Sequence, residues 1–131
     1  MHQIRHRILC VDDNADIREV LTLLLDAAGY DVTSTATVHD AKLFAAVGSF
    51  DLFILDKMPP RGAGLELCRE LRRQHPHTPV IIYSTDASER HHREATEAGA
   101  AICVDKPHIR PLVSAVNKFI KQGLVAVKNT A

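Results

Sequence analysis

Apolar and polar residues follow one another in blocks that predict strands alternating with helices. Short apolar runs at 8–11, 52–55, 79–83 and 101–104 predict buried strands. Residues 30–34 alternate between apolar and polar side chains, which predicts a strand with one more exposed face, at an edge of the sheet. The run at 52–55 is followed by two prolines within five residues, so that strand must end near Asp56.

Between the strands, apolar residues recur at helical spacing. The spacing predicts a helix over 17–28 that Gly29 ends, and a short helix that Thr37 and Asp40 open and that carries Leu43, Phe44 and Val47. Three more helices are predicted over 65–74, 88–98 and 112–120. The helix over 88–98 is unusually polar and leaves mainly Ala95 and Ala98 to pack.

This order predicts one α/β domain with a doubly wound, five-stranded parallel sheet and helices on both faces. Right-handed crossovers between parallel strands place the helices there. We expect the domain to span residues 1–122 and residues 123–131 to form a C-terminal tail. A chain of 131 residues fits a single domain.

Composition narrows the classes of function. Sixteen basic side chains balance sixteen acidic ones, so no bulk charge attracts nucleic acid or an anionic membrane. No apolar stretch is long enough for a membrane span. Three cysteines among apolar neighbours predict reduced thiols in a cytoplasmic protein. The histidine pairs His75/His77 and His91/His92 lie in polar sequence, so we expect them on solvated surface rather than at a metal.

Four predicted strands end in polar groups that could form one site. These groups are, in chain order, Asp12 with Asp13, Asp56, Ser84 and Lys106. The carboxyl ends of parallel strands meet at one edge of the sheet, which is where ligands bind in open sheets. One polar residue after a strand is common in any loop, but three carboxylates, a hydroxyl and a lysine after successive strands indicate a site.

Three carboxylates in one crevice need a counter-charge. Two carboxylates about 4 Å apart repel each other by about 4 kcal/mol at an effective dielectric constant near 20. Lys106 can neutralise part of this charge, and Mg²⁺, which prefers carboxylate oxygens and retained waters, can neutralise more. Such a pocket suits a phosphoryl group that a carboxylate oxygen attacks in line.

These residues carry a resemblance to a known family. From Ile8 to about Ile120 the sequence resembles the receiver domain of two-component response regulators, including the chemotaxis regulators. The matching motifs are Val11-Asp12-Asp13, Leu55-Asp56 with Pro60 and Gly64 following, Ser84 at the end of a strand, and Lys106-Pro107. Each motif is weak alone, but their joint order and spacing are specific.

The resemblance implies a flavodoxin-like strand order of 2-1-3-4-5. It implies Asp56 as the phosphoacceptor, Asp12 and Asp13 with Asp56 as ligands of Mg²⁺ together with the Met58 carbonyl, Ser84 as the switch hydroxyl, and Lys106 as the phosphate-binding lysine. The phosphoryl donor would be a sensor histidine kinase or a histidine phosphotransfer protein. The chain would catalyse only its own phosphotransfer and slow autodephosphorylation. The resemblance also implies that the Lys106-Pro107 peptide bond is cis.

The sequence departs from the family pattern at three positions. Pro59 stands where Met or Leu is usual, Thr85 where alanine is usual, and Cys103 where an aromatic switch residue is usual. We therefore expect output through the fourth helix, fifth strand and fifth helix without an aromatic switch. The downstream protein is unknown, and we expect no direct DNA binding because the receiver pattern uses almost every residue.

Two other functions stay open. An aspartyl-nucleophile phosphatase would place its nucleophile after the first strand with a second Asp two residues on, whereas Asp12 and Asp13 are adjacent. A receiver-fold protein-binding module that is never phosphorylated would not need all of the expected site residues. Turnover of a small phosphoester and Mg²⁺-dependent labelling distinguish these alternatives.

Overall fold

The protein is described by a computed structural model that covers residues 4–129, with side-chain environments for residues 4–124. Five strands alternate with five helices in the predicted order. Their bounds are β1 (Arg7–Val11), α1 (Ala15–Ala27), β2 (Asp31–Thr35), α2 (Val38–Val47), β3 (Leu52–Leu55), α3 (Ala63–Gln74), β4 (Val80–Ser84), α4 (Glu89–Glu97), β5 (Ile102–Asp105) and α5 (Ile109–Asn129).

The strands form one parallel sheet in the order β2-β1-β3-β4-β5, which confirms the predicted fold class and strand order. The more polar strand β2 is at an edge, as predicted, and β5 is at the other edge. Val11 is in register with Leu55, and Leu55 with Ile82. The carboxyl ends of β1, β3 and β4 therefore lie side by side.

Two apolar layers cover the sheet. Alternate residues of β3, such as Phe53 and Leu55, pack towards α2, α3 and α4. The intervening residues Leu52 and Ile54 pack towards α1 and α5. Burial on both faces explains why the central strands are unbroken apolar runs.

The helix ends follow the predicted capping residues. The Thr37 hydroxyl accepts a hydrogen bond from the Asp40 N–H at the start of α2, and the Ser88 hydroxyl accepts one from the His91 N–H at the start of α4. Gly29 and Gly99 follow α1 and α4 with φ of 99° and 101°, which only glycine adopts readily.

The last helix is longer than the sequence predicts. Helix α5 continues through Gly123 to Asn129, so residues 123–129 are helical, and residues 130–131 lie outside the described part. One glycine costs a helix only about 1 kcal/mol relative to alanine, which is too little to end it. The division between a domain of residues 1–122 and a tail stays a prediction.

The buried faces of two helices show features that the sequence did not indicate. On α4, His91 is buried with 2% of its surface exposed, so the expectation that this histidine is solvated is wrong. It precedes the buried Ala95 by four residues and therefore shares its helix face. On α2, the buried residues are alanines, whereas Phe44 and Val47 are largely exposed. Over the described residues, no helix combines the length and the apolar character needed to cross a membrane.

Candidate functional site

Asp56 is the first residue after the central strand β3. Its backbone N–H donates a 2.8 Å hydrogen bond to the Val11 carbonyl, so the ladder between β1 and β3 extends to this residue. The side chain is 13% exposed and lies at the carboxyl edge of the sheet. The backbone of Asp56 is therefore fixed while its carboxylate faces the edge where the strands end.

Lys106 lies between two carboxylates. Its Nζ is 2.7 Å from Asp12 Oδ2 and 2.9 Å from Asp56 Oδ1, and its side chain is 9% exposed. Burial alone would lower the pKa of Lys106, but hydrogen bonds to Asp12 and Asp56 outweigh it and raise the pKa above its ordinary value. The lysine is thus held as a cation beside both carboxylates. The Lys106-Pro107 bond is cis, as predicted.

Asp12 is the most buried carboxylate of the site. Burial raises its pKa, although hydrogen bonds from the Lys106 ammonium and the Asn14 N–H oppose the shift. Its backbone carbonyl accepts a 2.8 Å hydrogen bond from Arg18 on α1. Burial of the Asp12 carboxylate therefore costs desolvation free energy, and the Lys106 ammonium offsets part of that cost.

Asp13 is exposed and completes a group of three carboxylates. One carboxylate oxygen from each of Asp12, Asp13 and Asp56 lies within 4.8 Å of the others. Hard oxygen donors on one edge, with the open side facing solvent, fit the preference of Mg²⁺ for a few carboxylate oxygens and retained waters. The residues present therefore fit the metal that the resemblance implies.

The loop after Asp56 has an unusual backbone. Met58 has φ of 57°, in the left-handed region, and its side chain is buried in the core with 5% exposed. The Pro59-Pro60 bond is cis. A Cβ on Gly64 would lie 2.2 Å from the Asp56 carbonyl oxygen and 2.6 Å from that of Lys57. Glycine is therefore required where α3 approaches this loop.

Ser84 is buried at the end of β4, in register with Asp105. Its backbone carbonyl accepts a 2.8 Å hydrogen bond from the Lys106 N–H, and its hydroxyl accepts one from the Asp86 N–H. Among the described residues, no hydrogen bond joins the Ser84 side chain to Asp56. Ser84 therefore lies next to the end of β5 and to Lys106.

An ion pair that the sequence did not indicate joins two loops of the site. Lys57 Nζ lies 2.8 Å from Asp86 Oδ2, and this hydrogen bond holds the pKa of Asp86 well below its usual range. The pair links the loop after β3 to the loop before α4. In the sequence, the only indication of this ion pair is that a lysine and an aspartate follow two strands, β3 and β4, that are neighbours in the sheet.

Similarity to known proteins identifies the family of this chain. Residues 8–117 match the family model of the response regulator receiver domain. The chain is 36% identical over 103 residues to the response regulator protein PilR of Pseudomonas aeruginosa. The aligned residues cover 79% of this chain and 23% of that protein. It is 33% identical over 121 residues to the transcriptional regulatory protein CpxR of Klebsiella pneumoniae, covering 90% of this chain and 50% of that protein. The chain thus spans half or less of these curated relatives.

Solved structures agree in fold. A CheY-like receiver domain protein from Methanospirillum hungatei superposes with a TM-score of 0.87 at 26% identity, covering 94% of this chain and 99% of the other. The chemotaxis protein CheY4 of Vibrio cholerae gives 0.82 at 28% identity, covering 88% and 99%. The chain therefore belongs to the family of response regulator receiver domains of two-component systems.

Proposed function

We propose that this receiver domain accepts a phosphoryl group on Asp56 from a phosphohistidine and thereby switches a protein-binding surface. The observation that carries the proposal is the contact of Lys106 Nζ with both Asp56 and Asp12 at the carboxyl edge of the sheet. An Asp56 carboxylate oxygen attacks phosphorus, and the bond from phosphorus to the donor imidazole nitrogen breaks. The electron pair stays on that nitrogen, and because the other ring nitrogen of the donor carries a proton, the donor leaves as a neutral imidazole.

Mg²⁺ is the cofactor that we propose, held by Asp12, Asp13 and Asp56 together with the Met58 backbone carbonyl. When bound, it offsets the negative charge of the carboxylates and of the transferring phosphoryl group. Support comes from the three carboxylate oxygens that lie within 4.8 Å of one another. The left-handed backbone of Met58 turns the chain directly after the phosphoacceptor, and Gly64 allows α3 to pack against that turn.

Lys106 and Ser84 are proposed to bind the phosphoryl oxygens. The ammonium of Lys106 already donates a hydrogen bond to an Asp56 oxygen, so it can bind the added phosphoryl oxygens without a large movement. The Ser84 hydroxyl would exchange its contact with the Asp86 N–H for one with the phosphoryl group. That exchange would release the start of the loop that leads to α4.

The output surface that we propose is formed by α4, β5 and α5. Little of α4 is apolar and buried beyond Ala95 and Ala98, so its local stability is low, as is usual for elements that move in switching. Cys103 is too small to fill a vacated space as an aromatic ring would. The conformational change would therefore pass through the loop from Ser84 to α4. The Lys57–Asp86 ion pair links this loop directly to the loop after Asp56.

The proposed donor is a sensor histidine kinase or a histidine phosphotransfer protein. Helix α1 starts directly after Asp12 and Asp13 and exposes three apolar side chains, Val20, Leu23 and Leu24. Exposed apolar residues beside a site support docking of a protein partner. The three unpaired cysteines support the cytoplasm as the compartment. Receiver domains are regulatory, and the only chemistry proposed here is phosphotransfer to Asp56 and slow autodephosphorylation.

Labelling with a small phosphodonor tests this function. Incubation with acetyl phosphate and Mg²⁺ should give an acid- and base-labile acyl phosphate in the unmodified protein and none in Asp56→Asn. Asp51→Asn, an exposed carboxylate at the other end of the same strand, should label normally. Asp13→Asn should lose the dependence on Mg²⁺. Normal labelling of Asp56→Asn would refute the proposal, and sustained turnover of a phosphoester would favour a phosphatase.

A further inference from the structure

A second group of potential metal ligands shares no residue with the three carboxylates of the phosphorylation site. One ligand atom from each of His92, Cys103 and Asp105 lies within 4.8 Å of the others. His92 Nε2 and Asp105 Oδ1 are 2.7 Å apart. All three side chains are half-buried, so they are partly shielded but reachable from solvent.

Strand periodicity and the packing of α4 on β5 bring these three residues together. Successive side chains of a strand point to opposite faces, so Cys103 and Asp105 share the face of β5 that α4 covers. Val104, between them, packs on the other face of the sheet. His92 is near the start of α4, directly across from this pair. Two ligands thus come from a rigid strand and one from a helix.

The donor set distinguishes this group from the Mg²⁺ site. Imidazole nitrogen, thiolate sulfur and carboxylate oxygen are the donors that bind Zn²⁺, commonly as three protein ligands with a water in the fourth position. Mg²⁺ requires oxygen donors and is not bound by a thiol. Bond lengths of about 2.0–2.3 Å to Zn²⁺ place tetrahedral ligand atoms roughly 3.3–3.8 Å apart, so small side-chain rotations suffice.

The local charge also favours a cation. Burial, together with the carboxylates of Asp105 and Asp86, raises the pKa of the Cys103 thiol to about 11. The negative potential that disfavours a thiolate attracts a divalent cation, and a bound metal deprotonates a coordinating thiol. A hydrogen bond between His92 and Asp105 is the arrangement expected without a metal, and it holds both side chains near their ligand positions.

We propose that His92, Cys103 and Asp105 bind a Zn²⁺-class transition-metal ion with water as the fourth ligand. The ion would join α4 to β5 across an interface in which α4 contributes little apolar surface. Because binding to the folded state stabilises it, occupancy would hold α4 in place on the sheet. The site does not require phosphorylation of Asp56.

Cobalt substitution tests the site directly. Co²⁺ added to untagged protein in excess Mg²⁺ should give a thiolate-to-cobalt absorption band that one equivalent of Zn²⁺ displaces. Cys103→Ser should lose the band while the buried Cys10 and Cys68 remain, and His92→Gln should weaken binding at least about tenfold. The matched control His39→Gln, an exposed histidine on α2, should bind as the unmodified protein does. Asp56→Asn should also bind normally, which separates this site from the carboxylates of the phosphorylation site.

A measurement on the unmodified protein covers the case in which a variant misfolds. Zn²⁺ should slow alkylation of Cys103 at least about tenfold, as read by peptide mass spectrometry. The proposal is overturned if Zn²⁺ leaves this alkylation rate unchanged. It is also overturned if the cobalt band persists in folded Cys103→Ser, or if His92→Gln and His39→Gln bind equally well.

Discussion

Lys106 Nζ lies 2.9 Å from Asp56 Oδ1, although the two residues are 50 positions apart in the chain. The same ammonium is 2.7 Å from Asp12 Oδ2, so one cation joins the ends of β1, β3 and β5. Replacing Lys106 would leave two carboxylates with low solvent exposure and no counter-charge.

Lys106→Met should therefore destabilise the protein when Mg²⁺ is absent. We expect a loss of roughly 1–3 kcal/mol in the free energy of unfolding, below the range for a fully buried pair because the edge is open to water. Urea unfolding in EDTA measures it, and Lys121→Met, at an exposed position of α5, serves as the control. Added Mg²⁺ should recover part of the loss. Equal stability of the two variants would show that Lys106 does not offset the charge of the two carboxylates.

Gly64→Ala should disrupt the loop that carries the proposed Met58 ligand. Its Cβ would meet the Asp56 carbonyl oxygen at 2.2 Å, a backbone atom that cannot move freely, so we expect a loss of about 3 kcal/mol. Gly123→Ala is the matched change, with open space around the new Cβ in the middle of α5. It should stabilise the protein by about 1 kcal/mol. No gain from Gly123→Ala would argue that residues 123–129 are not helical in solution.

His91→Leu should stabilise the protein at neutral pH. Within the described part of the chain, neither ring nitrogen of this buried histidine has a hydrogen-bond partner. Leucine has a similar volume and no polar group to desolvate, so a gain of about 1–2 kcal/mol is expected. Thermal or urea unfolding measures the change, with the exposed His39→Leu as the control. A large loss on His91→Leu would reveal a polar partner, such as a buried water.

Phosphorylation should change the exchange of backbone amides in α4 more than in α1 or α2. Helix α4 is held by few apolar contacts and is joined to the phosphoacceptor loop through Asp86 and Lys57. Hydrogen exchange with and without beryllofluoride and Mg²⁺ measures this, and Asp56→Asn provides the unresponsive control. Changes confined to α1 and α2, with residues 88–98 unaffected, would show that the output surface is elsewhere.

The sequence predicted the strands and the position of the site because these depend on local patterns. Unbroken apolar runs marked the central strands, and parallel strands necessarily bring Asp12 and Asp56 to one edge. The resemblance supplied the strand order, which periodicity alone could not. The caps at Thr37 and Ser88 were predictable because capping depends on neighbouring residues.

Features that depend on packing between distant segments were not predicted. The Lys57–Asp86 pair joins two loops whose conformations no local pattern specifies. His91 looked solvated because its neighbours are polar, and only its spacing from Ala95 indicated the buried face. His92 faces Cys103 and Asp105 because α4 covers the β5 edge of the sheet, which requires the tertiary structure.

Mapping the modified residue shows whether Asp56 carries the phosphoryl group. The protein is phosphorylated in Mg²⁺, the acyl phosphate is reduced with borohydride, and peptide mass spectrometry locates the resulting homoserine. We expect homoserine at position 56 alone, with Asp12 and Asp13 unmodified. Homoserine at position 12 or 13, or phosphate retained on a histidine with Asp56 unmodified, would contradict it.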